Sequence, residues 1–220
     1  MKLVLFDVDG TLTNTNRVDE LCLIGALESI LGVRNLSHDW SSYAQSTDSG
    51  IVAEVVTRVV GHEDADVVAR VRHRFFDLME QSYTEQPELF APVQGAQGVF
   101  GRLRQSGYAV AIATGAWHES ARFKMRVAGV DMHGVTMATG DDHTERALIL
   151  QLAVDRVRRW DGHEPDHVVY VGDGNWDIAA ATALGYSFIG IAQTTAEAER
   201  LTTAGAQVVL PNLVDLYTHL

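Results

Sequence analysis

Four carboxylates stand at the ends of short apolar runs. Asp7 and Asp9 lie in Asp7-Val8-Asp9-Gly10-Thr11, and Asp173 and Asp177 in Gly172-Asp173-Gly174-Asn175-Trp176-Asp177. A third apolar run ends in Thr114-Gly115. Asp and Gly commonly stop strands and open turns, so any one of these residues alone is unremarkable. The set, repeated at matching run ends, points to chemistry. Carboxylates gathered in one place repel one another and raise each other's pKa values until a cation neutralises them. A donor set of oxygens, with no His or Cys among them, suits a hard ion. Mg²⁺ is the expected one, held by carboxylates with water and a substrate phosphate completing its shell.

These residues need a scaffold that brings run ends together. Apolar runs at 3–6, 108–113, 168–171, 187–191 and 207–210, with a weaker one at 135–138, read as buried strands. Helical spacing lies between them, as in Leu148, Leu152 and Val157, and in Ile178, Ala181 and Leu184. Strands apolar on both faces and alternating with helices predict an α/β fold, a Rossmann-like parallel sheet. In such a sheet ligands bind beyond the carboxyl ends of the strands, where the four acids sit.

The segment 14–92 breaks the alternation. Leu23, Leu27, Ile30 and Leu31 mark one amphipathic helix, Ile51, Val55, Val59 and Val60 a second, and Val67, Val71, Phe75 and Leu78 a third. Pro87 and Pro92 punctuate the exit. The expectation is a core of 1–13 and 93–220 with an inserted helical cap, 14–92, hinged near 13–16.

Global properties narrow the partners. Asp plus Glu number 29 and Lys plus Arg 17, a net charge of −12 over 220 residues. That balance argues against nucleic acid and against an anionic membrane surface, both of which attract basic patches. A small phosphorylated substrate remains open, because it needs only a few local donors. Cys22 is the single cysteine and lies in an apolar helical pattern, so it reads as a buried thiol without a disulfide. No apolar run is long enough to span a membrane. The early Asp7 argues against a signal peptide, and a cytoplasmic location is the expectation. Oligomeric state is not legible.

Asp7-Val8-Asp9-Gly10-Thr11-Leu12 resembles the DxDGT signature of the haloacid dehalogenase superfamily of phosphatases and phosphotransferases. Val110-Ala111-Ile112-Ala113-Thr114-Gly115 is similar to its second motif, and Gly172 to Asp177 to its fourth, GDxxxD. A helical insertion directly after the first motif resembles the type-one cap, in the manner of phosphoglycolate-phosphatase-like members. The resemblance implies a Mg²⁺-dependent phosphatase acting on a small phosphorylated metabolite.

It also implies roles. Asp7 would be the nucleophile that forms an aspartyl-phosphate. Asp9 would be the general acid and then the general base, its backbone carbonyl joining Asp7 and Asp173 on the metal, with Asp177 contributing through water or by orienting the ligands. Members that cleave carbon–halogen bonds lack the second acid, so Asp9 favours phosphoryl chemistry. Thr114 would bond a phosphoryl oxygen, and Gly115 would allow close backbone approach. The superfamily's third motif supplies a cation for the nucleophile and phosphoryl group. Two residues compete for that part: Arg146, favoured for opening the helix before the fourth motif, and Lys124, in the helix after Thr114. Thr47 and Asp48, in Gln45-Ser46-Thr47-Asp48-Ser49-Gly50, match a substrate-facing segment of the cap, or equally a plain helix N-cap. Trp117 and Trp176 follow two motif strands and read equally as pocket lining or as packing in the core or rim. His143 beside Asp141 and Asp142 reads as no metal site, since three consecutive residues cannot easily face one ion. A phosphomutase of the same superfamily and a noncatalytic phosphate-binding module are the alternative readings.

Overall fold

The computed structural model describes residues 1–220, the side chain of Asp161 apart. Six strands form one parallel sheet: β1 (Lys2–Phe6), β2 (Tyr108–Ala113), β3 (Thr136–Ala138), β4 (His167–Gly172), β5 (Ser187–Ile191) and β6 (Val208–Leu210). Their spatial order is β3-β2-β1-β4-β5-β6, the doubly wound arrangement in which the chain first builds one side of β1 and then the other. The register is what matters for function. Phe6 of β1 stands opposite Ile112 of β2 and Val171 of β4. Asp7, Thr114 and Asp173 therefore leave the sheet at nearly the same level, around the switch point.

The strands alternate between two buried faces. Val4, Phe6, Ile112 and Val171 pack one way, with Phe100 and Met125. Leu3, Leu5, Ala111 and Tyr170 pack the other way, with Ile149 and Ala153. Burial on both sides is why these strands read as continuous apolar runs. The covering helices are α4 (Val99–Gln105), α5 (His118–Val127), α6 (Arg146–Asp161), α7 (Asn175–Leu184) and α8 (Thr195–Thr203). On α6 the inward stripe is Ile149, Ala153 and Val157, all buried, whereas Leu148 and Leu152 are half-buried. The two leucines lie one position off the stripe, so the sequence reading set the face of this helix slightly wrong.

Between β1 and α4 the chain forms α1 (Asn16–Leu31), α2 (Asp48–Val60) and α3 (Ala65–Glu85). They enclose a separate apolar cluster around Leu23, Leu27, Ile51, Val55, Val71 and Phe75, joined by Trp117 from the sheet side. Val59 and Val60, expected on the buried face of α2, are exposed at 41% and 37%. They sit in its last turn, where the helix runs past the cluster before Gly61 ends it in a left-handed conformation. The two chain crossings into this helical segment are paired. Asn14 N–H donates to Ala91 O at 2.8 Å and Val93 N–H to Leu12 O at 3.0 Å. Among the described residues no helix is long and apolar enough to cross a membrane.

Candidate active site

The loop after β1 is shaped by its glycine. Gly10 has φ +70°, and a Cβ there would come within 2.2 Å of Asp173 Oδ2 and 2.3 Å of Asn16 Nδ2. Only glycine takes that backbone at little cost and leaves those two side chains room to meet. Asn16 then donates to Asp173 Oδ2 at 2.7 Å, tying the first turn of α1 to the loop after β4.

Asp7, Asp173 and Asp177 each offer an oxygen within 4.8 Å of the others. Asp7 is 4% exposed, and Arg146 Nη1 donates to its Oδ1 at 3.1 Å. Asp177 is fully buried and accepts from Tyr170 Oη at 2.9 Å and Gly174 N–H at 3.0 Å, with Arg146 Nε 3.6 Å away. Burial pushes the Asp7 carboxyl up to about 7. Arg146 opposes that rise, and Asp177 and Asp9 add to it. Burial also holds Asp173 well above the usual carboxylate range, with help from the charges of Asp177 and Asp7. Three buried carboxylates facing one guanidinium are short of positive charge. An all-oxygen set of this kind fits a hard divalent ion such as Mg²⁺.

A second cluster lies on the side of α1. Asp9 accepts from Thr15 Oγ1 at 2.5 Å and from Lys124 Nζ at 2.8 Å. Lys124 is completely buried and also donates to Asp19 Oδ1. The two sequence candidates for the third-motif cation therefore occupy different places. Arg146 lies on Asp7, and Lys124 lies on Asp9 and Asp19. Asp19 was not anticipated. Its signal was present, an acid on the buried face of α1, between Val18 and Cys22. Burial raises its carboxyl to about 6, against the pull of Lys124.

The segment before α2 lies against the core. Asp48 N–H donates to Gly115 O at 3.0 Å, and Asp48 Oδ2 accepts from Trp117 N–H at 2.9 Å. Thr47 Oγ1 donates to Thr144 O at 2.8 Å and accepts from Gly50 N–H at 3.2 Å, capping α2. Gly115 is needed here, since a Cβ would stand 2.7 Å from Arg146 Nη2 and 3.0 Å from Ser46 O. The site cavity, partly open to solvent, has a volume of about 50 Å³ and is lined by Asp7, Asp9, Asp48, Thr114, Arg146 and Asp173 with their neighbours. Asp19, Asn16, Trp40 and Trp176 complete much of the wall, while Thr47 and Trp117 do not reach it. Trp117 packs edge-on against Phe75, and its Nε1–H donates to Ser49 Oγ. His143 is exposed and accepts from Glu145 N–H, while Asp142 pairs with Arg156 and Asp141 with Arg72. Cys22 is buried 3.6 Å from Ser82 Oγ, and burial raises its thiol.

The raised carboxyls have a consequence for stability. In the unfolded chain Asp7 and Asp19 lose their protons near 3.8, but in the folded protein only near 7 and 6. Between about pH 4 and pH 7 the unfolded state binds fewer protons, so their contribution falls as pH rises. Metal-free protein should melt a few degrees lower at pH 7.5 than at pH 5.5, and millimolar Mg²⁺ should raise Tm more at the higher pH. Scanning calorimetry in EDTA and in Mg²⁺ checks both; a larger Mg²⁺ effect at pH 5.5 would contradict the charge deficit.

A doubly wound sheet with an acidic set at its switch point, covered by an inserted helical segment, is the arrangement of one hydrolase family. The chain belongs to it: residues 1–185 match the haloacid dehalogenase-like hydrolase model. A relative, pyrophosphatase PpaX of Bacillus velezensis, is 23% identical over 97% of this chain and 93% of its own length. Among solved structures, a hydrolase from Pseudomonas syringae superposes with a TM-score of 0.75 at 20% identity, covering 100% of this chain and 97% of that one. A predicted phosphoglycolate phosphatase from Haemophilus somnus gives 0.67 at 17% identity, covering 100% and 97%. At such identities these two structures establish the fold alone.

Proposed function

We propose that this hydrolase is a Mg²⁺-dependent phosphatase that splits a small phosphomonoester through an aspartyl-phosphate on Asp7. The observation that carries this reading is the paired construction of the β1 loop. Asp7 is buried against Arg146, and Asp9, two residues on, is held by Lys124 and Thr15 in the same cavity. The pyrophosphatase relative supports it as an analogue, since a pyrophosphatase breaks a bond to phosphorus.

Asp7 attacks phosphorus in line, and the ester P–O bond breaks as Asp9 gives its proton to the leaving oxygen. Asp9 then takes a proton from water, which attacks phosphorus and frees Asp7 and inorganic phosphate. Arg146 neutralises charge on Asp7 and on the phosphoryl oxygens, and Thr114 donates to one of them. Asp7, Asp173 and Asp177, with the Asp9 carbonyl, would hold Mg²⁺, which supplies charge neutralisation that keeps Asp7 ionised and shields the phosphoryl group.

The helical segment 14–92 serves as a cap. Hinging at 13–16 and 91–93 would let the cap open to admit the ester and close over it to exclude water. Turnover of a panel of phosphorylated metabolites with Mg²⁺ and with EDTA tests the proposal. Stoichiometric phosphate release supports hydrolysis. An isomer formed only with a bisphosphate primer would show a mutase, and no turnover would leave a binding module.

Arg146→Ala is expected to cut kcat/KM by roughly a hundredfold or more, the size seen when one charge-stabilising group is lost. Arg146→Lys should recover only part, because a lysine cannot reach Asp7, Asp177 and Ser46 O together. Near-normal turnover in Arg146→Ala, beside a dead Lys124→Ala, would make Lys124 the phosphate-site cation.

A further inference from the structure

The cavity has a second charge imbalance, on the side of Asp9. Asp9, Asp19 and Asp48 face it, and all three approach a single cation, Lys124. Asp19 is 8% exposed and Asp48 6%. Lys124 donates to one oxygen of Asp19, and Trp117 N–H to one oxygen of Asp48. Among the described residues no donor reaches the other oxygen of either. Neither free oxygen is among the buried atoms that lack a partner, so each keeps accessible surface in a pocket that both residues line, where a ligand's donor can meet it. Burial and the neighbouring Asp19 charge hold the Asp48 carboxyl well above its usual range, a sign that the chain's own cations do not satisfy it. Trp40 and Trp176 line the same cavity.

We infer that the leaving group of the natural substrate carries a protonated amine, which seats against Asp19 and Asp48 while the phosphoryl group lies on Asp7. The substrate class is the short amino-alcohol phosphates. The assignment rests on the phosphatase reading and refines it. The chemistry is unchanged: the ester P–O bond breaks, Asp9 protonates the departing alcohol oxygen, and the ammonium keeps its charge throughout. An ammonium there supplies the missing donors and offsets the excess charge. A carboxylate or a second phosphate in the same place meets like charge and is disfavoured.

The test compares kcat/KM at pH 7.5 for O-phosphoethanolamine, 2-hydroxyethyl phosphate, 2-phosphoglycolate and pyrophosphate. The amine substrate is expected to lead the neutral one by roughly tenfold or more, as for a charge-assisted bond in a desolvated site. The two anionic substrates should trail both. In Asp48→Asn and Asp19→Asn the lead of the amine over the neutral substrate should shrink to within about threefold. Each ratio is taken within one protein, so partial misfolding of a variant cancels. Equal turnover of amine and neutral substrates, a lead for either anion, or an unchanged ratio in both variants would overturn the inference. If no phosphomonoester turns over, p-nitrophenyl phosphate included, the phosphatase reading fails by itself. Calorimetry on Asp7→Asn protein still decides the leaving-group question, since phosphoethanolamine must bind at least several-fold tighter than hydroxyethyl phosphate.

Discussion

Asp7→Asn should leave a folded protein that releases no measurable phosphate from p-nitrophenyl phosphate. The expected loss in kcat is at least about a thousandfold, because an amide cannot form the covalent intermediate that divides the hydrolysis into two easier steps. The fold should survive for a separate reason. Asp7 is buried and its carboxyl is raised to about 7, so its charge is a burden on the metal-free protein at neutral pH. Asparagine removes that burden and can still accept from Arg146 through its carbonyl oxygen. Arg146 also keeps Asp177 Oδ1, 3.6 Å from its Nε. The melting temperature of the metal-free variant is therefore expected within a few degrees of the wild type. Calorimetry should still detect Mg²⁺, more weakly, through Asp173 and Asp177. Turnover above about one per cent of wild type in protein free of contaminating phosphatase would show that Asp7 is not the nucleophile.

Much of this architecture was legible in the sequence, and the reasons are physical. Strands buried on both faces must be apolar throughout, so β1, β2, β4 and β5 stand out as runs. The loops at their ends must turn sharply beside a charged site, which concentrates Asp and Gly there. Arg146 could be favoured over Lys124 only by its position before the fourth motif, because the part each plays depends on which acid it reaches. That is set by how α5 and α6 lie on the sheet. Asp19 and Asn16 were missed for a related reason. Both belong to α1, outside the motif loops, and their significance comes only from packing against the core. An acid on the buried face of a helix, three residues before Cys22 and four before Leu23, is the one local sign that Asp19 has a partner elsewhere. Thr47 illustrates the opposite case. Its residue type suits either a ligand or a cap, and its hydroxyl is spent on α2 and on Thr144 O.

Lys124→Met should be the most damaging single change to stability. Lys124 is fully buried, and its ammonium serves Asp9 and Asp19 and lies near Asp48. Methionine fills similar space, so the cavity term is small and the effect is electrostatic. Removing one side of a buried ion pair costs about 3–5 kcal/mol, because the partner charge is left without compensation. Against a total stability of about 5–15 kcal/mol, that loss should be visible as a sharply lower urea midpoint. The deficit has a definite pH signature. Asp19 already titrates near 6 with Lys124 in place, and without it the carboxyl must rise further. The variant should therefore lose more stability at pH 7.5 than at pH 5, where Asp19 is mostly protonated. Adding Asp19→Asn should restore part of the stability, since one of the stranded charges is then gone. It should not restore turnover, because Asp9 still lacks the ammonium that orients it. A double-mutant cycle in urea, read beside phosphatase activity, separates the two. Strict additivity of the two substitutions, or full activity in the double variant, would mean that Lys124 neither couples to Asp19 nor orients Asp9.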